Sequence, residues 1–172
     1  MKKLSFVLAV VAALTVFASC GKKDKYVLDE KTFFLVMTNV WYYPEQYAGA
    51  EMEFACYTYR LTDVDGKEYM CGVRKCASGY GCKCGKDTII GFLLEYDGAV
   101  PEPIKQSEDS PEKAWIRVKG RLKGNGKTDI YVYAYNGDEI DYNTVEKISL
   151  LTFSADDVEK IEDYSGLNYY VS

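Results

Sequence analysis

The stretch from Glu51 to Leu61, EMEFACYTYRL, alternates strictly, with Met52, Phe54, Cys56 and Thr58 on one side of an extended chain and Ala55, Tyr57, Tyr59 and Leu61 on the other. A period of two over that length fits a strand and not a helix. The pattern returns at Trp115 to Lys123, where Ile116, Val118, Gly120 and Leu122 are expected to face inward and Trp115, Arg117, Lys119 and Arg121 outward. It returns again at Asp129 to Tyr135, with Ile130, Val132 and Ala134 inward and Tyr131, Tyr133 and Tyr135 outward. Gly124-Asn125-Gly126, between these two segments, predicts a hairpin turn, which would set the three tyrosines beside the three cations.

Turn chemistry organises the rest. Asp63-Val64-Asp65-Gly66 predicts a hairpin returning through Lys67 to Arg74, and Thr88 to Tyr96, TIIGFLLEY, reads as a nearly all-apolar strand. Thr32 to Val40, TFFLVMTNV, is a run of β-favouring residues and is expected to be the first strand; Val145 to Phe153 is expected to be another. Pro44 to Gly49 predicts a single helical turn. Gly98 to Lys113 holds three of the four prolines and reads as a surface loop. Ser154-Ala155-Asp156-Asp157 has the form of an N-cap followed by acids, which predicts a short helix over Ala155 to Tyr164. The expected fold is mainly β, a small OB-like barrel or curled antiparallel sheet with a short C-terminal helix, since closure removes unpaired edges. Its parts are a signal segment over 1–19, a tether over 20–31, the β domain over 32–153, and a helix and tail over 154–172.

The N-terminus is read as a targeting segment. Lys2 and Lys3 precede an apolar or small run from Leu4 to Phe17, then Ala18-Ser19 and Cys20. The run is too short to span a bilayer. Small residues immediately before a Cys resemble a bacterial lipobox, which implies a fatty-acylated (palmitate-type) Cys20 as the first mature residue and an extracytoplasmic, membrane-anchored protein. Without residues 1–19, the remaining 153 residues carry 19 basic and 26 acidic side chains, a net charge of −7. That charge argues against nucleic acid as a partner. There is no His in the chain, which excludes His-based nucleophile activation and imidazole metal ligands.

Four of the six cysteines fall within Cys71 to Cys84, CGVRKCASGYGCKC. Three readings of Cys71, Cys76, Cys82 and Cys84 stand, disulfide-bonded, metal-bound or reduced thiols, with Cys56 as a fifth candidate. The spacing is compatible with thiolates around zinc, the one cofactor the residues suggest, and equally with disulfides stapling a glycine-rich loop in an oxidising compartment. The stripe Arg117, Lys119 and Arg121 with Tyr131, Tyr133 and Tyr135 is a second candidate site, a ligand-stacking face set against ordinary cross-strand pairing.

Residues 33–123 resemble a group of bacterial OB-fold-like extracytoplasmic proteins of unknown function, some of them lipoproteins and some encoded beside a putative permease. The matching pieces are Pro44-Glu45-Gln46-Tyr47-Ala48-Gly49 before a strand, a cysteine pair, Asp87, Gly91-Phe92, and Trp115-Ile116-Arg117-Val118-Lys119-Gly120. The chain departs from them at Cys82-Lys83-Cys84, where they have adjacent cysteines, and at Ala50, where they have Lys. The resemblance implies the fold and the location and carries no established activity. The expected role is a non-enzymatic binding or accessory module, with an envelope or permease partner linked to metal or solute transport. The alternative is a thiol-dependent enzyme or metallochaperone using the Cys71 to Cys84 loop.

Overall fold

A computed structural model describes residues 24–76, 88–104, 112–136, 139–168 and 170–171. The elements in chain order are β1 (Lys25–Leu28), α1 (Phe33–Tyr42), α2 (Pro44–Tyr47), β2 (Glu51–Thr62), β3 (Glu68–Cys76), β4 (Thr88–Glu95), β5 (Trp115–Asn136), β6 (Glu139–Lys160) and β7 (Tyr170–Val171). The chain is mainly β, and its sheet curls into a ring: β2 pairs with β5, β5 with β6, β6 with β4, β4 with β3, and β3 with β2 again. Four of these joins are antiparallel; β4 to β6 is parallel. The barrel-like class expected from the alternating segments is therefore present, in a mixed sheet.

The ring has a seam. β2 and β3 pair from Tyr57 opposite Val73 to Thr62 opposite Glu68 and then part. In the gap β1 lies parallel to the first half of β2, and β7 lies parallel to the end of β3.

Period-two alternation fills the ring from one face of each strand. Met52, Phe54, Cys56, Phe92, Ile116, Val118, Leu122, Leu151 and Phe153 form the first core. At its centre the rings of Phe54, Phe92 and Phe153 lie 5.2 to 5.7 Å apart, centroid to centroid. The other face of β2, β3 and β4 makes a second core from Tyr57, Leu61, Cys71, Val73 and Leu93, closed by Trp115, Ile130 and Val132. Close strand contact depends on two glycines: a Cβ at Gly91 would stand 2.1 Å from the Gly72 carbonyl oxygen, and one at Gly120 the same distance from that of Ser154.

Four expectations are corrected. Thr32 to Val40 is not a strand. Phe33, Met37 and Val40 bury a stripe at helical spacing, and Asp29 Oδ1 accepts from the Lys31 and Thr32 amides to set the first turn. Packing of that stripe on the first core overrides the β preference of the residues. Gly124-Asn125-Gly126 is not a turn either. β5 runs 22 residues through it, and between Leu122 and Lys127 the extra residues bulge, with Gly124 at φ 107°. The glycines bend the ribbon so that its near part fills the first core and its far part the second.

The C-terminal helix is absent, because Ala155 to Lys160 extends β6. Asp157 and Glu159 stand opposite Lys119 and Arg117, so the acids answer cross-strand cations rather than a helix dipole. Finally, Trp115 is buried rather than outward, ringed by Tyr57 at 5.5 Å, Tyr164 at 6.2 Å and the Arg74 guanidinium at 4.9 Å. The segment after β6 covers it, with Ile161, Tyr164 and Leu167 packed against the second core.

Candidate functional site

Extended geometry separates the thiols. Cys71 and Cys76 lie on one strand five residues apart, about 17 Å at strand rise, and the odd interval puts them on opposite faces. Cys71 belongs to the second core; Cys56 and Cys76 belong to the first. A single zinc with bonds of about 2.3 Å cannot hold both Cys71 and Cys76. Cys56, Cys71 and Cys76 are free thiols; Cys20, Cys82 and Cys84 lie outside the described residues. Burial pushes the Cys71 thiol up to about 12 and that of Cys76 to about 11, against the lowering pull of Arg74 on Cys76. Cys56 is raised further by burial. These are protonated core groups at neutral pH, poor nucleophiles and poor ligands. Among the described residues, no three His, Cys, Asp or Glu side chains gather as a metal site.

The cationic stripe is exposed as expected, but it does not meet the tyrosines. Arg117, Lys119 and Arg121 face β2 on one side, opposite Ala55, Glu53 and Glu51, and β6 on the other, opposite Glu159, Asp157 and Ser154. The pattern is ladders of opposite charge, with Arg121 3.9 Å from Glu51. Tyr131, Tyr133 and Tyr135 continue the same strand beyond the bulge, opposite Lys147, Val145 and Ile140. The two halves of the expected ligand face are thus consecutive along one strand rather than side by side.

Tyr131 on β5 and Ile140, Tyr142 and Val145 on β6 are exposed. Between Tyr133 and Ala134 the register slips so that residues 142 to 144 bulge from β6. Asp141 organises this bulge, accepting from the Thr144 hydroxyl at 2.7 Å and the Asn143 amide at 2.9 Å, and those bonds hold its carboxyl below the usual range. The Tyr142 ring consequently rests edge-on against Tyr133 at 5.1 Å.

The group that sequence reasoning passed over is Arg74. It occupies the seam, between the last β3 residue paired to β2 and the first paired to β7. Its side chain is 1% exposed, and Glu30 grips it with two bonds of 2.9 and 2.8 Å. It also donates to the Ala55 carbonyl at 3.3 Å and to the Asn168 carbonyl, while the Asn168 amide donates back to Glu30 at 3.0 Å. Phe33 lies under the guanidinium at 5.3 Å, as Trp115 does at 4.9 Å. The available signal was an even-numbered Arg, in phase with Gly72 and Cys76 on the inward side of the strand.

Against known protein families, curated proteins and solved structures, the chain finds no match in any of the three.

Proposed function

We propose that this is a lipid-anchored protein of a bacterial envelope whose barrel binds or assists a partner, in metal or solute transport, without catalysing a reaction. The observation that carries the reading is the phenylalanine triad at the centre of the ring: the interior is filled by side chains, so ligands and partners must meet its outside. The exposed tyrosines of the β5–β6 ribbon supply an amphipathic surface for an envelope protein. The thiol-enzyme alternative needs thiolates, and burial disfavours them at Cys71 and Cys76.

The test is Cys20→Ala in the full chain. The native protein should take up labelled palmitate and sediment with membranes, whereas the variant should do neither and move to the soluble or secreted fraction. Unchanged partitioning would remove the anchor. A photo-reactive residue at Tyr142, compared with one at Arg117, tests the surface: an envelope-protein adduct from the first alone supports it, and equal labelling opposes it.

A further inference from the structure

Among the described residues, ten large apolar side chains stand exposed, and four of them, Val27, Leu35, Tyr42 and Tyr43, belong to the first two elements and the residue that follows them. Leu35 is 64% exposed and Tyr42 70%. At 100° per residue, Phe33, Met37 and Val40 define the inward face of α1, and Leu35 and Tyr42 fall on the opposite one. That outward face carries no charge, because α1 as a whole, FFLVMTNVWY, contains no acid or base. An uncharged, partly aromatic helix face open to water is uncommon on a chain with 27% charged residues and asks for a covering surface.

The chain outside the described region says which one. Only Gly21, Lys22 and Lys23 separate Cys20 from Asp24, the first described residue, and four residues span at most about 14 Å. A domain of this size has a radius of gyration of about 15 Å. An acyl anchor at Cys20 on so short a leash keeps the start of β1 at the headgroups, and the elements next to it in the chain are those that expose Val27, Leu35 and Tyr42.

We propose that the outward face of α1, centred on Leu35 and Tyr42, rests in the interfacial layer of the bilayer that holds the acylated Cys20. This deepens the lipid-anchor reading and rests on it. Tyr suits the position, since its ring sits against the uppermost acyl-chain segments while its hydroxyl stays at headgroup level. The contact orients the barrel, so that the lipid anchor and the helix together fix which strands look away from the membrane.

The experiment uses the full lipidated chain reconstituted into phosphatidylcholine vesicles, with brominated acyl chains as the quencher. In a Trp41→Phe background, where only the buried Trp115 emits, Tyr42→Trp places an indole in the proposed contact, and Tyr131→Trp places one on the β5–β6 ribbon as control, each read as the increment over that background. The expected result is that both variants float with vesicles, and that brominated lipid quenches and blue-shifts only the emission from the Tyr42→Trp protein. Adding Leu35→Glu to Tyr42→Trp should keep flotation and abolish the quenching. A floating Tyr42→Trp protein that is not quenched overturns the inference alone and leaves this face to a protein partner. Equal quenching from both positions, or quenching indifferent to Leu35→Glu, also overturns it. Failure to float removes the anchor reading and this inference together.

Discussion

A guanidinium as buried as that of Arg74 is tolerable only while its carboxylate and carbonyl partners stay in place. Glu30→Ala should therefore cost about 3 to 5 kcal/mol in urea unfolding, because it strands the charge between Phe33 and Trp115. Arg74→Met should cost less, since Glu30, partly exposed, turns to water, and the double variant Glu30→Leu/Arg74→Met should recover part of the Glu30→Ala loss. A double variant worse than the sum would show that the pair is not the unit of stability. The thiols make a pH prediction. Folded Cys71 and Cys76 hold their protons up to about 12 and 11, whereas in the unfolded chain they release them near 9. The folded state thus binds more protons above that point, so this contribution is complete below about pH 9 and is lost as pH rises through 11 to 12. Cys71→Ala should flatten the fall in unfolding free energy measured from neutral pH to about pH 11; an unchanged slope would place that thiol in water. At this scale the sequence announced the cysteines and concealed the arginine. A Cys cluster is visible as spacing, but the partners of Arg74 come from 44 residues before it and 94 after it.

Among the elements, β2, β3 and β4 were legible because the alternation that opens β2, the positive-φ glycine at Gly66 and the apolar run of β4 are local facts. The inward set on β5 was equally legible. Val118→Asp should unfold the domain by burying an unpaired charge, while Lys119→Asp should leave it folded, losing only about 0.2 to 1 kcal/mol per pair through repulsion from Glu53 and Asp157. Circular dichroism of both variants decides, and equal behaviour would mean the faces are misassigned. What the chain hid were choices settled by distant partners. The apolar run at Phe33 becomes a helix because a single stripe of it meets the core. Acids at Asp156 and Asp157 look like a helix start until Lys119, opposite Asp157, is known. Gly124 and Gly126 look like a turn until the strand is seen to continue past them. Gly120→Ala, driving a Cβ into the Ser154 carbonyl, should cost at least about 1 to 3 kcal/mol, whereas Gly126→Ala, with nothing within 4 Å, should fall within about 0.5 kcal/mol of the native protein. Thermal unfolding of the two separates a spacing glycine from a bending one.

The whole molecule is held closed by its two ends. β1 and β7 enter the gap where β2 and β3 part, and Val171, 1% exposed, is a member of the first core although it lies one residue from the end of the sequence. Removing residues 169–172 should therefore lower the thermal midpoint by several degrees and expose apolar surface to a hydrophobic dye; an unaltered midpoint would mean that the pairing of β7 with β3 contributes nothing. Closure of the ring itself was legible only as a class, because the parallel join of β4 to β6 and the seam depend on pairs far apart in sequence that no local pattern encodes. The seam also imposes a timetable on synthesis. Glu30 reaches Arg74 from just after β1 and Asn168 from just before β7, so a chain leaving the ribosome must wait for Asn168 before the lock can be set. Until then every nascent copy carries a guanidinium without its full complement of partners, and a chain cut short before Asn168 keeps it so.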